Sequence, residues 1–284
     1  MSITISKSVT DSGTTTENMS NLFSNIVAQA RFTAEEGSLM AGLVKTYDIA
    51  NVSGTTIQIP KYGTITAADI AEETDLTASA LQTTSTDVAI KTVGASVLLS
   101  DLSTMGGQGN VAAEVGTVLG NAIAKKIDAD IIAKFDDFST EVGGDAVAIS
   151  PATIFEAVAK IRNNAYTGEL ACVINPLQAF HLKSALTGTN AFSNDVANEA
   201  MTRGFIGSIA GCNVYEHSGV AIATNIAKGA VFAPEALAMA LKRDFVIEEQ
   251  RDASARATEL VATAYYGIAE LEDGFGVEVR GKTN

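Results

Sequence analysis

The sequence predicts an α+β fold, and three observations carry that reading. Apolar residues recur at three-and-four spacing from Asn110 to Phe135, short apolar or alternating runs mark strands before and after that stretch, and strands alternate with helices beyond residue 145. In the long helix, Val111, Val115, Val118, Leu119, Ala122, Ile123, Ile127, Ile131 and Phe135 form the expected buried stripe. Asn110, Glu114, Thr117, Asn121, Lys125 and Asp128 form the expected wet face. At 1.5 Å per residue, a helix over 110–135 spans roughly 39 Å, the length of a small domain. Gly106, Gly107 and Gly109 give it a flexible entry, Asn110 is placed as its N-cap, and Glu114 complements the helix dipole. Gly116 and Gly120 each cost about 1 kcal/mol against Ala in a helix, so close packing is expected there.

Before the helix, residues 1–30 are polar and pattern-poor except for Leu22, Phe23, Ile26 and Val27, which suits an extended arm with a short apolar anchor. Weak helix signals surround Leu39 to Val44. Thr56 to Ile59 then alternates as a strand that Pro60 is expected to stop. Between Lys61 and Lys91 lie about thirty residues rich in Thr, Ala, Ser and acids, closing in the strand Asp87 to Ile90; loops this long are uncommon in compact domains and usually functional. Ile65, Ile70, Leu76 and Leu81 are too widely spaced to make a core of their own, so the segment reads as a two-stranded flap needing a partner surface.

After the helix, Asp145 to Ile149 reads as a strand. Ser150 then caps a helix with Pro151 at its first position, and Ile154, Ala157, Val158 and Ile161 make its buried stripe up to Asn163 and Asn164. A second strand-then-helix unit runs from Ala171 to Ile174 and from Asn175-Pro176 to about Leu186, followed by a polar loop over 187–194. Cys212 to Glu216, Gly229 to Phe232 and Gly276 to Arg280 are further strands, and Pro234 starts a short helix. Phe245 to Glu249 and Leu260 to Ile268 flank the charged stretch Gln250 to Arg256 as a long hairpin would, although the run at 260–269 is equally compatible with a helix.

A formal charge of −14 argues against a surface that grips nucleic acid, because duplex binding rests on Lys and Arg neutralising phosphates. Two cysteines, Cys172 and Cys212, are too few for a disulfide framework. Residues 1–24 lack the apolar core of a secretion signal, and no apolar run approaches the roughly 20 residues that span a bilayer, so a soluble protein is expected. Residues 276–283 match the phosphate-loop pattern letter for letter. Yet Val277 and Val279 alternate about Glu278 as in a strand, without the following helix whose amides would hold phosphate. Cys172 and His181, with Cys212 and His217, lack metal-site spacing and read as core filling and surface. Ser208 in Gly207-Ser208-Ile209-Ala210-Gly211 lacks nucleophile-elbow spacing, and the carboxylate pairs Glu72-Glu73 and Glu248-Glu249 read as solvated or interface charges. No catalytic residue, cofactor site or metal site is expected.

Several stretches carry a resemblance in their order along nearly the whole chain. They are Asp87-Val88-Ala89-Ile90-Lys91 through Leu99-Ser100-Asp101, Val173-Ile174-Asn175-Pro176, Gly207 to Gly211 followed by Val214-Tyr215, Phe245 to Glu249, and Tyr266-Gly267. Arm, flap, spine helix, layered α/β domain and charged-tip hairpin together resemble the HK97-like major capsid proteins of tailed double-stranded DNA bacteriophages. The resemblance implies an N-terminal arm at 1–30, a peripheral domain of 31–145 with 241–270, and an axial domain of 146–240 with 271–284. It implies that the flap at 61–91 lies over a neighbouring subunit and that 250–256 meets others near threefold positions. The inter-subunit contact candidates are then Leu22, Phe23, Ile65, Ile70, Glu72, Glu73, Leu76, Leu81, Arg251, Asp252 and Arg256. The implied partners are further copies in hexamers and pentamers, scaffolding, portal and decoration proteins, and enclosed double-stranded DNA held without sequence-specific binding. No membrane partner is implied, and the shell would assemble in the host cytoplasm. An acidic inner wall would keep the DNA from adhering.

Two departures from the family pattern bear on assembly. Some members weld neighbours through an isopeptide bond between a Lys of the extended loop and an Asn at the hairpin tip. Here no Lys lies between Lys61 and Lys91 and the tip has no Asn, so no such crosslink is expected. No long scaffolding extension precedes the arm, which suits a separate scaffolding protein. The rival readings are an encapsulin-like compartment with the same fold and, from another class, an α/β enzyme. The absence of Trp, the low aromatic content and the missing catalytic set count against the enzyme.

Overall fold

The computed structural model describes residues 38–50, 54–63, 65, 67, 69, 80–102, 111–188 and 207–284. The arm at 1–30, the glycine entry at 106–109 and the polar loop over 189–194 lie outside the described residues. Contacts divide the chain into two compact units. Among described residues, one holds 94–102, 111–124 and 245–263, and the other holds the remainder of 38–93, 125–244 and 264–284.

The long helix is present as α1 (Val111–Ile132), 22 residues continued by a 3-10 turn at Ala133–Asp137. Its buried face keeps much of the expected stripe and is wider on one side. Val118 is 58% exposed and Ala122 is exposed, whereas Gly116, Gly120, Ala124 and Asp128 are buried. These four recur at spacing four, and the first three make a ridge of small residues along which another element can approach closely. Leu119, Ile123, Ile131 and Phe135 of the expected stripe are buried as read, and the correction concerns Val118 and Ala122, which the fold leaves exposed. Asp128, placed on the wet side by periodicity, is 2% exposed because three groups of the fold bond to it.

A four-stranded sheet has the order β1-β11-β12-β4, from β1 (Lys45–Asp48), β4 (Lys91–Ser100), β11 (Leu237–Asp252) and β12 (Ala257–Glu270). The open choice at 260–269 resolves to strand. Leu260, Ala262, Ala264 and Tyr266 are buried at a period of two, the period of a pleated sheet with one covered face. A 3-10 turn at Met40–Gly42 stands where weak helix signals surround Leu39 to Val44.

A separate two-stranded sheet pairs β2 (Thr56–Tyr62) with β3 (Thr83–Ala89) in antiparallel register, Thr56 opposite Ala89 and Tyr62 opposite Thr83. Pro60 does not stop β2. The amide of Gly63 donates to Gln82 O at 2.9 Å and that of Ile90 to Thr55 O at 2.8 Å, which sets the odd-numbered residues of β2 at the hydrogen-bonded positions. Pro60, opposite Ser85, therefore falls where no ladder donor is needed.

The third sheet has seven strands in the order β5-β13-β10-β6-β8-β7, with β9 also paired to β10. They are β5 (Glu141–Ala148), β6 (Leu170–Ile174), β7 (Ser208–Ile209), β8 (Cys212–Glu216), β9 (Ile222–Ala223), β10 (Ile226–Phe232) and β13 (Gly276–Lys282). Its core includes Ile154, Ala157, Val158 and Ile161 of α2 (Pro151–Asn163), the stripe read from the sequence, with Ala179 and Leu182 of α3 (Pro176–Gly188). Asn175 Oδ1 caps α3 by accepting from the Leu177 amide at 2.9 Å. Gly143 sits at φ +89° where β5 meets β13, and a Cβ there would collide with the Arg280 carbonyl, so the position admits only glycine.

Candidate functional site

The β2–β3 flap is seated at its root and bare farther out. Val88 is fully buried in a cluster with Ile49, Ala240 and Ala269, and Ile57, Ile59 and Ile90 lean on it. Gly267 makes that seat possible, since a Cβ there would lie 2.5 Å from the Ala89 carbonyl oxygen. Lys61 Nζ adds an ion pair to Glu272 at 2.9 Å, and Lys242 donates to the Gly54 carbonyl. Beyond the root, Tyr62 is 70% exposed, Ile65 60% and Leu81 48%. Ile65 and Leu81 are thus exposed as the sequence suggested, while Ile70, Glu72, Glu73, Leu76, Leu22 and Phe23 lie outside the described residues. Tyr62 was missed, because it falls two residues past Pro60, where the strand was expected to have stopped.

Two carboxylates of α1 tie that helix to the body. Asp128 accepts from Ser38 Oγ at 2.7 Å and from the Met40 amide at 3.2 Å, and its other oxygen lies 3.0 Å from His217 Nε2. Because His217 Nδ1 accepts from the Gly219 amide, the neutral ring carries its proton on Nε2 and donates it to Asp128. Asp130 collects Lys91 at 2.7 Å, Lys126 at 2.9 Å and the Tyr266 hydroxyl at 2.6 Å. Partial burial alone would raise the Asp130 pKa, but those bonds outweigh it and hold the carboxyl below its usual value.

The tip of the β11–β12 hairpin is preorganised by its own charges. Arg251 brackets Asp101 with two bonds of 2.6 and 2.7 Å, and the Asp101 amide donates to Arg256 O at 3.0 Å. Asp252 Oδ1 accepts from the Ser254 amide and hydroxyl and from the Ala255 amide, and Arg256 closes the turn at φ +47°. The Arg251 bond holds the Asp101 carboxyl below its ordinary range, and the Ser254 hydroxyl does the same for Asp252. Arg251 and Asp252 therefore shape the tip within their own chain, and they are exposed there together with Arg256. Leu98, Leu102 and Val118, at 63%, 82% and 58% exposure, are further bare apolar residues that sequence reasoning missed.

The chemical motifs come apart in the fold. Residues 276–282 are strand β13, with Glu278 2% exposed and bonded to Arg280 Nε at 2.9 Å, so they form no phosphate loop. Cys172 and Cys212 lie in the core of the seven-stranded sheet, His217 is engaged with Asp128, and His181 stands edge-on to Phe180. The hydrogen bond with Cys212, and then burial, push the Cys172 thiol well above its ordinary pKa, which suits an inert core thiol. Ala210 at φ +56° and Gly211 at φ +77° make the tight turn between β7 and β8, so Gly207 to Gly211 is a hairpin. No helix among the described residues is long and apolar enough to cross a membrane.

Compared with known proteins, residues 82–277 match the family described as phage capsid protein. The chain is 25% identical over 206 residues to the major capsid protein of Staphylococcus phage phiMR11, covering 72% of each sequence. Among solved structures, that of Mycobacterium phage Che8 superposes with a TM-score of 0.71 at 21% identity, over 85% of this chain and 90% of the other. The capsid structure of cyanophage P-SCSP1u gives a TM-score of 0.68 at 19% identity, over 85% and 87%.

Proposed function

The chain belongs to the phage capsid protein family, and we propose that it closes a phage head by covering, copy upon copy, the surfaces its own fold leaves bare. It is a major capsid protein with an HK97-like fold, a shell-forming component of the virion. The family match favours this over a cargo-enclosing compartment. The observation that supports the assembly mechanism is the flap. Its root is buried under Val88, while Tyr62, Ile65 and Leu81 carry large apolar surface into solvent, where burial on a neighbour contributes about 25 cal/mol per Å².

In this reading the peripheral domain is the four-stranded sheet with α1 and the flap, over 31–145 with 241–270. The axial domain is 146–240 with 271–284; the seven-stranded sheet suggests moving its first boundary back to the start of β5 and its second to the start of β11. The flap at 61–91 lies over a neighbour, with Ile70, Glu72, Glu73 and Leu76 in the same contact and Leu22 and Phe23 anchoring the arm. The tip at 250–256 meets other copies through Arg251, Asp252 and Arg256, the first two of which also hold it in shape. Hexamers and pentamers of this chain enclose double-stranded DNA behind an acidic inner wall, with scaffolding, portal and decoration proteins as partners and assembly in the host cytoplasm. The chain performs no catalysis in this role. Negative-stain imaging of the purified protein tests the reading: closed shells are expected, and a uniform small oligomer under assembly conditions would overturn it. Boiled denaturing gels of those shells should show monomers alone, and a covalent ladder that survives reductant would contradict the absence of a crosslink.

A further inference from the structure

Away from the flap and the hairpin tip, apolar side chains collect at one end of the seven-stranded sheet, and Gln178 of α3 holds them there. Its side chain is fully buried and donates to Ala227 O of β10 at 2.7 Å and to Gly281 O of β13 at 3.2 Å. Asn175 donates to Val220 O at 2.7 Å, so the start of α3 is tied to β10, to β13 and to the segment leading into β9. Beside these anchors stand side chains that the core does not take. Leu177 precedes Gln178 and Phe180 lies three positions on, which puts both on the outer face of α3. Ile222 of β9 is opposite Ala227, and cross-strand partners share a face of the sheet. Val147 of β5 lies two residues before Ile149, a member of the core under α2 and α3, and β5 itself packs against α3. These four side chains are between 44% and 64% exposed.

Charge says what can cover them. The sole permanently charged residue of α3, Lys183, is neutralised within the chain by Glu216 of β8 at 2.5 Å. The whole chain carries a formal charge of −14, so two copies repel over most of their surface and approach most readily where charge is missing. A basic partner would be drawn to carboxylates instead. We propose that this end of the seven-stranded sheet, centred on Leu177 and Phe180, is a contact surface for a second copy of the chain, separate from the flap and the hairpin tip. The proposal deepens the reading of copies that cover one another's bare surfaces, and rests on it. Because apolar burial is non-directional, one such patch serves neighbours set at slightly different angles.

The test labels thiols on the full-length chain carrying Phe180→Cys, with Tyr62→Cys in a second sample reporting on the flap; Cys172 and Cys212 are fully buried and stay silent. The thiol at 180 should react freely in dilute subunit and about tenfold more slowly once copies have associated. Equal reactivity in both states would overturn the proposal. So would a thiol already blocked in dilute subunit, since the chain's own residues would then cover the patch. Leu177→Asp with Phe180→Glu should leave the subunit Tm within about 2 °C yet weaken association in sedimentation, and unaltered association would count against the patch. Protection at 62 without protection at 180 leaves the flap reading standing and sinks this one, whereas protection at 180 alone does the reverse. If imaging shows a small oligomer in place of shells, the capsid-assembly reading fails while labelling of that oligomer still decides the patch; a chain that never associates loses both.

Discussion

The seven-stranded sheet and the β2–β3 flap are built from similar residues but use them oppositely. In the sheet, β6 is buried along its whole length, and α2 commits every residue of its apolar stripe to a core shared with α3. In the flap, one residue of fourteen paired positions is buried, Val88; Ile57 and Ile59 lean on its cluster, while Tyr62 and, just beyond the strands, Ile65 and Leu81 are exposed. The difference is one of layers. A sheet covered by helices satisfies its hydrophobic surface at home, whereas two strands alone have no second layer and must borrow one. The first region makes a stable subunit, and the second leaves apolar surface that, in the proposed reading, a neighbouring copy covers.

The contrast breaks most visibly from the core side. Phe232, fully buried with its ring 5.3 Å from that of Phe135, should cost about 3–5 kcal/mol when changed to Ala, enough to abolish soluble subunit in a denaturant titration. Asp128→Ala comes next, because it strands the Ser38 hydroxyl, the Met40 amide and His217. We expect a loss of about 2–3 kcal/mol, read as a fall in Tm of several degrees.

Glu270→Gln probes the seam between the two behaviours. Burial first, then the charge of Asp273, raise this carboxyl at the end of β12 from 4.5 to about 7. It binds its proton more tightly folded than unfolded, so its stabilising contribution is full below 4.5 and lost as pH rises through 7. The Gln variant removes that loss. After discounting for its partial exposure, the gain should be about 1 kcal/mol at pH 8 and near zero at pH 4.5, measured as the difference in Tm against pH. The smallest effect on the subunit sharpens the comparison most. Tyr62→Ser, Ile65→Ser and Leu81→Ser together should change subunit stability by only about 0.5 kcal/mol, yet sharply reduce the yield of closed shells in light scattering. A large drop in subunit stability would show that the flap serves its own chain.

Particular residues mark how far the sequence could be read. Ile154, Ala157, Val158 and Ile161 spelled out the face of α2, and Asn175-Pro176 the start of α3, because these signals are local and one helical turn suffices to express them. Pro60 misled, since whether a proline breaks a strand depends on which side carries the ladder bonds, and that is a property of the pair. Asp128 and Val118 misled in opposite directions. Hydrophobicity ranks side chains by what they prefer, but the row Gly116, Gly120, Ala124 and Asp128 is buried because small residues admit a close approach and a carboxylate can be satisfied inside. The exposure of Ile65 and Leu81 was legible from their spacing, whereas the Arg251–Asp101 bracket joins residues 150 positions apart and left no local trace.

By itself the sequence determined the long helix, the order of the main strands about it and the strand–helix alternation of the second half, all of which follow from short-range periodicity and residue chemistry. Tertiary structure alone decided which face of α1 is covered, that 276–282 is an inner strand, and that Glu270, Asp273 and Lys61 share one corner. Those outcomes depend on which distant groups arrive to meet each surface, and no local pattern encodes an arrival.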